Sequence, residues 1–274
     1  MRLPRWQGMG FFDTVKRAWA AAGRNNVPIL AAGVAYYAFL SMVPLLTAVV
    51  LTYGLVADPE MVARHIEAMA NALPPAAAEL IGGQLQDMVA TSGERKGLGL
   101  LIALALALFG ARSSALTLVK AVSLAFAAPE QRGLLRANLL ALVILLGALA
   151  GAGLVAVAIG ATAALGDSGA LGMLGQVLPY LILALAAAMG AALLYRRAPK
   201  GVAVDLRQLW PGAACAGVGI VLLTAVFGIY VANFGDYNAT YGALGAVVVL
   251  LTWLYLAAYA LLFGAEIAAA NRRH

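Results

Sequence analysis

The chain has 274 residues, of which 64% are hydrophobic and 11% charged, with a formal net charge of +6. A soluble domain usually carries about 25% charged residues, so a soluble fold this apolar could not cover its surface. The single cysteine, Cys215, rules out an intrachain disulfide, and the first apolar stretch, from near Val27, is far longer than a signal-peptide core of about 7–15 residues.

Taken in chain order, residues 10–24 come first. Phe11, Phe12, Val15 and Trp19 recur at helical spacing, with Lys16 and Arg17 on another face. This suits a helix lying in the membrane interface; a helix simply packed under a bundle is the other reading. Next come 33 uncharged residues between Arg24 and Asp58, well over the roughly 20 that a helix needs to cross hydrocarbon. The span is placed at 28–57. Within it, Pro44 has no N–H to donate and should kink the helix. Ser41 and Tyr37 stand one and two turns before it. Polar side chains beside a kink line a cavity, or they satisfy the freed carbonyls; the sequence leaves both open.

Residues 58–96 are the one substantial external segment. Asp58-Pro59-Glu60 is a good helix start, and Pro74-Pro75 separates this helix from a second amphipathic one. A helical hairpin is predicted, serving as a lid or as a structural cap. The second span, 97–119, is interrupted by Arg112, about 15 residues and about 22 Å in. An arginine at that depth faces a polar interior and marks function, or it snorkels to the inner interface.

Further uncharged runs of 30, 28, 28 and 29 residues give spans at 138–165, 173–195, 210–233 and 241–268. Transmembrane strands are about 9–11 residues with strict alternation, so helices are predicted throughout. Gly147 with Gly151, and Ala213 with Gly217, would allow close helix contact. Asp236 to Gly242 reads as a short external loop in which Asn238 or Thr240 caps the last helix and Tyr241 opens the span. Trp253, Tyr255 and Tyr259 follow as packing or as a stacking surface. Glu266 ends the last span at about the depth of Arg112. The two are expected to pair or share one polar site, unless Glu266 is an independent interfacial carboxylate near Arg272.

Fifteen of the 18 basic residues fall on one side of this arrangement, whereas the other side carries eight of the 12 acids. The positive-inside rule then puts both termini in the cytoplasm. The basic charge thus reflects topology and contact with anionic lipid, not nucleic acid. The fold class is all-α: a polytopic membrane protein with six spans in a single domain over residues 1–274. His65 and His274 are the only histidines, and there is no HExxH, P-loop, Cys/His cluster or Gly-x-Ser-x-Gly. No catalytic residue, metal or cofactor is expected. The candidate binding residues are Tyr37, Ser41, Pro44, Arg112, Asn238, Tyr241 and Glu266.

The segment Ala-Tyr-Tyr-Ala-Phe-Leu-Ser-Met-Val-Pro-Leu-Leu (35–46) resembles the first-helix signature of the BrkB/YihY family of bacterial inner-membrane proteins. Tyr237 to Leu244 is similar to that family's second signature, and Trp253-Leu254-Tyr255 with Gly264-Ala265-Glu266 to its C-terminal one. The resemblance covers nearly the whole chain and implies six spans and an inner-membrane location. It brings no settled activity: the family has carried a ribonuclease label, which these residues do not support, and a link with virulence. The function expected is a transporter or lipid translocator for an anionic or amphiphilic substrate. The alternative is a non-transporting structural or partner-binding envelope protein. Membrane lipids, anionic phospholipid among them, are the expected partners, and homo-oligomerisation stays open.

Overall fold

Inside hydrocarbon a single segment can satisfy every backbone N–H and C=O only as a helix, and the long Leu/Ala/Val runs obey this. The structure, a computed structural model, describes residues 11–56, 93–128, 138–144, 146–147, 150–151, 153–154, 157, 170–202, 205–233 and 237–272. Its helices are α1 (Phe11–Arg24), α2 (Val27–Val56), α3 (Gly93–Ala125), α4 (Ala170–Arg197), α5 (Leu206–Asn233) and α6 (Tyr237–Arg272). Residues 138–144 are also helical, as is every described residue from there to 157. No strand occurs among the described residues. Among the described residues, four stretches are long and apolar enough to cross a membrane: Gly97–Ala125, Val177–Arg197, Leu206–Tyr230 and Val247–Arg272. Val27–Met42 is a shorter apolar helix.

Two expectations change. The hairpin expected over 58–96 lies outside the described residues as far as 92, and residues 93–96 open α3 instead of closing a hairpin. Likewise, residues 237–242 are not a loop but the first turns of α6. Hydropathy marks where a helix leaves the apolar slab, whereas the hydrogen-bond ladder runs on into the polar flank, so charge-based limits stop short. A helical backbone at Asn238 and Thr240 excludes them as N-caps, which need non-helical dihedrals.

The chain divides into two compact units, Ala38–Ala111 and Met1–Tyr37 with Arg112–His274. In the first, α2 and α3 cross at Ser41 and Gly110. A Cβ on Gly110 would stand 2.8 Å from the Ser41 Cβ and 2.9 Å from its backbone nitrogen, so only glycine allows this approach.

In the larger unit α5 packs on both α4 and α6, and α1 packs on α6. Small residues set these distances. A Cβ on Gly264 would meet the Gly212 carbonyl at 2.5 Å and the Tyr195 hydroxyl at 2.6 Å, and one on Gly217 the Ala184 carbonyl at 2.6 Å. The core is correspondingly alanine-rich, with Ala213, Ala216, Ala265 and Ala268 fully buried around Tyr195, Leu209 and Val122. Buried serines tie the helices: Ser114 donates to the Val34 carbonyl at 3.2 Å and Ser123 to that of Ala198 at 3.1 Å. Leu181, Leu222 and Ile229 lie exposed on the outer faces, as lipid-facing residues do.

Two connections are tight. Asn25 and Asn26 join α1 to α2, with Asn26 in the left-handed region at φ 52°, which asparagine tolerates better than most residues. The α3 C-terminus closes with the Ala127 N–H on the Leu124 carbonyl and the Ala128 N–H on that of Ser123. This is a Schellman end with Ala127 at φ 49° in the place that glycine usually takes.

Candidate functional site

The inter-helix bonds determine which helix ends lie together. Ser123 to Ala198 joins the C-terminal ends of α3 and α4. Asn271 donates to the Gln208 carbonyl at 3.0 Å, joining the end of α6 to the start of α5. Asn25 Nδ2 donates to Glu266 Oε1 at 2.7 Å, adding α1 and the start of α2. One end of this unit therefore gathers Lys16, Arg17 and Arg24 of α1, Lys120 of α3, Arg196, Arg197 and Lys200 at the end of α4, Arg207 of α5 and Arg272 of α6. Asp13, Asp205 and Glu266 are the acids among them.

Glu266 is the chemical centre of this end. It is 2% exposed, and an ionised carboxylate out of water is costly unless it is paired and hydrogen-bonded. Its position follows from Gly264, which lets α6 touch α5, and from Tyr195, whose hydroxyl donates to the Leu261 carbonyl one turn earlier. Beside Glu266 a cleft of about 200 Å³ is lined by Arg17, Ala20, Ala21, Arg24, Ala269 and Ala270. Two arginines of α1 thus line the same cleft as a buried carboxylate. The arrangement can hold an anion on the arginines or move a proton at Glu266.

The residues expected from sequence scatter over this fold. Arg112 is exposed, and its Nε donates to Asn138 Oδ1 at 2.8 Å. Glu266 accepts from Asn25, so Arg112 and Glu266 each have a partner other than the one expected of them. Tyr37 is half-buried, edge-on to Tyr36 with ring centroids 5.5 Å apart. Ser41 donates to the Ala38 carbonyl at 2.7 Å, not to the Leu40 carbonyl that Pro44 leaves free, and α2 continues as helix through Pro44. Asn238 and Tyr241 lie in the first turns of α6, and their side chains lie outside the described residues. Asn25, Arg17 and Arg24 were not singled out as site residues. Asn25-Asn26 between an amphipathic helix and a span reads as a turn, and nothing in the local pattern points 241 residues ahead to Glu266.

Helices of spanning length, apolar outer faces and one basic end define a multi-pass α-helical membrane protein. The chain belongs to the virulence factor BrkB family, whose model matches residues 18–274. Among curated relatives, a UPF0761 membrane protein of Xanthomonas oryzae pv. oryzae (strain PXO99A) is 42% identical over 76 residues, 28% of this chain and 18% of that protein. A putative ribonuclease-like protein, YfkH of Bacillus subtilis (strain 168), is 39% identical over 64 residues, 23% of each. These matches span about a fifth of the relatives' length. No solved structure matches.

Proposed function

We propose that the protein is a transporter or lipid translocator of the bacterial inner membrane, with six spans and both termini in the cytoplasm, acting on an anionic or amphiphilic substrate. The observation that carries this reading is Glu266. A carboxylate 2% exposed at the end of a spanning helix, in a cleft with Arg17 and Arg24, is costly for a purely structural helix end. Ionisable groups at such positions mark substrate or proton pathways. The gathering of nine basic residues at the same end supports its cytoplasmic orientation.

The test is reconstitution of the full chain in vesicles, followed by dithionite bleaching of fluorescent phosphatidylglycerol and phosphatidylcholine. Translocation above the protein-free rate is expected, with a loss of about tenfold in Glu266→Gln, the size of one charge-assisted contact. Rates equal to protein-free vesicles for both lipids would overturn translocation of either.

A second reading, a structural or partner-binding envelope protein without transport, is favoured by the close α5–α6 crossing at Gly212 and Gly264 and by a cleft confined to one end. Protein-free rates in that assay would support it. Nuclease activity forms no part of the proposal; RNA cleavage by the purified chain, lost in Glu266→Ala, would bring it back.

A further inference from the structure

Helix α1 has three distinct faces. Thr14, Ala18, Ala21 and Ala22 are buried, and this face packs on α6. One flank carries Arg17 and Arg24, beside Glu266, Ala269 and Ala270 of α6. The opposite flank carries Phe12, 80% exposed, and Trp19, 66% exposed. Trp19 meets Phe263 of α6 edge-on, centroids 6.0 Å apart and planes at 77°.

Helix α6 serves as a depth gauge. Phe263 precedes Glu266, Ala269 and Ala270, the α6 residues beside the arginine flank, by three to seven residues, about 4–10 Å at 1.5 Å per residue, and so lies further from the charged Arg272 end. The aromatic flank of α1 therefore looks toward the apolar middle of α6, and the arginine flank toward its charged end. Phe263 in turn stacks on Tyr259, centroids 6.2 Å apart, which continues the aromatic contact inward. Water would penalise the exposure of Phe12 and Trp19, whereas a headgroup boundary accepts aromatic rings of this kind. The charges match: Lys16, Arg17 and Arg24 against Asp13 leave α1 at +2, on an end where basic residues predominate.

We infer that α1 is an in-plane docking helix for an anionic phospholipid leaflet, with Phe12 and Trp19 at the acyl boundary and Lys16, Arg17 and Arg24 at the phosphates. This holds whether or not the protein transports.

The test uses the full chain in bilayers, with Trp6, Trp210 and Trp253 replaced by phenylalanine so that Trp19 reports alone. Phosphatidylglycerol or phosphatidylcholine with brominated acyl chains is added at equal mole fraction. Quenching of Trp19 by the anionic lipid should exceed that by the zwitterionic lipid about twofold or more. The ratio should fall toward one at high salt and in the Lys16→Gln/Arg24→Gln variant, because the attraction is electrostatic and screened. Retained quenching by the zwitterionic lipid shows that the variant's α1 is still seated, and the salt titration needs no variant. Absence of quenching by either lipid, as when another protein covers α1, would overturn the inference. So would equal quenching by both at low salt.

Discussion

Asn25 and Glu266 are 241 positions apart and are joined by a bond of 2.7 Å, one of those that hold one end of the larger unit together. An amide that donates to a buried carboxylate supplies about 1.5–3 kcal/mol. Asn25→Ala should lower the thermal stability of the detergent-solubilised protein by about 1–3 kcal/mol, read as an earlier melting transition; an unchanged transition would show that the bond is dispensable. Glu266 could be picked out from sequence because a carboxylate at the end of an apolar run is conspicuous. Asn25 could not, because a neutral amide in a turn has an ordinary local explanation. Arg112 was conspicuous for the same reason as Glu266. Yet it is exposed and bonded to Asn138, which fits a side chain reaching outward rather than a polar centre. Conspicuous charge locates cost, but the partner that offsets it comes from elsewhere in the chain.

Helices were the most legible level, and their contacts the least. The expected spans 173–195, 210–233 and 241–268 lie within α4, α5 and α6, each longer by several residues because helices outlast the apolar slab. Glycine spacing finds an intramolecular partner in one case and not in the other. Gly217 does meet α4, whereas a Cβ added at Gly147 or Gly151 would meet nothing within 4 Å among the described residues. The closest approach is instead at Gly212 and Gly264, which form no pair in sequence. Gly264→Ala should therefore force α5 from α6 and cost about 1–3 kcal/mol as overpacking. Gly147→Ala should be neutral or slightly stabilising, since alanine is the better helix former. Comparing the two melting transitions checks both; equal effects would contradict the packing at Gly264.

At the largest scale, the hydrogen bonds that link α1, α3, α4, α5 and α6 bring to one end of the larger unit nine of the fifteen basic residues that charge counting puts on one side of a membrane. The two routes are independent, since one uses only residue type and the other only tertiary contacts. Orientation is directly measurable. In a Cys215→Ala background, Gln7→Cys and His274→Cys should react with an impermeant maleimide only after the membrane is opened, and Asp87→Cys and Asp236→Cys from outside intact cells. The reverse pattern would invert the topology.

Membrane residence, helical class and the expected sidedness of charge were set by the sequence itself. They depend on the solvent each segment meets, and the length of an apolar run and the position of a lysine report that solvent locally. The candidate site was decided only in three dimensions. Whether Glu266 meets Arg112 or Asn25, and whether Arg17 and Arg24 line a cleft or face open water, depends on which small residues let which helices touch. In a chain this rich in alanine and glycine, many faces permit contact, and only the assembled packing selects among them.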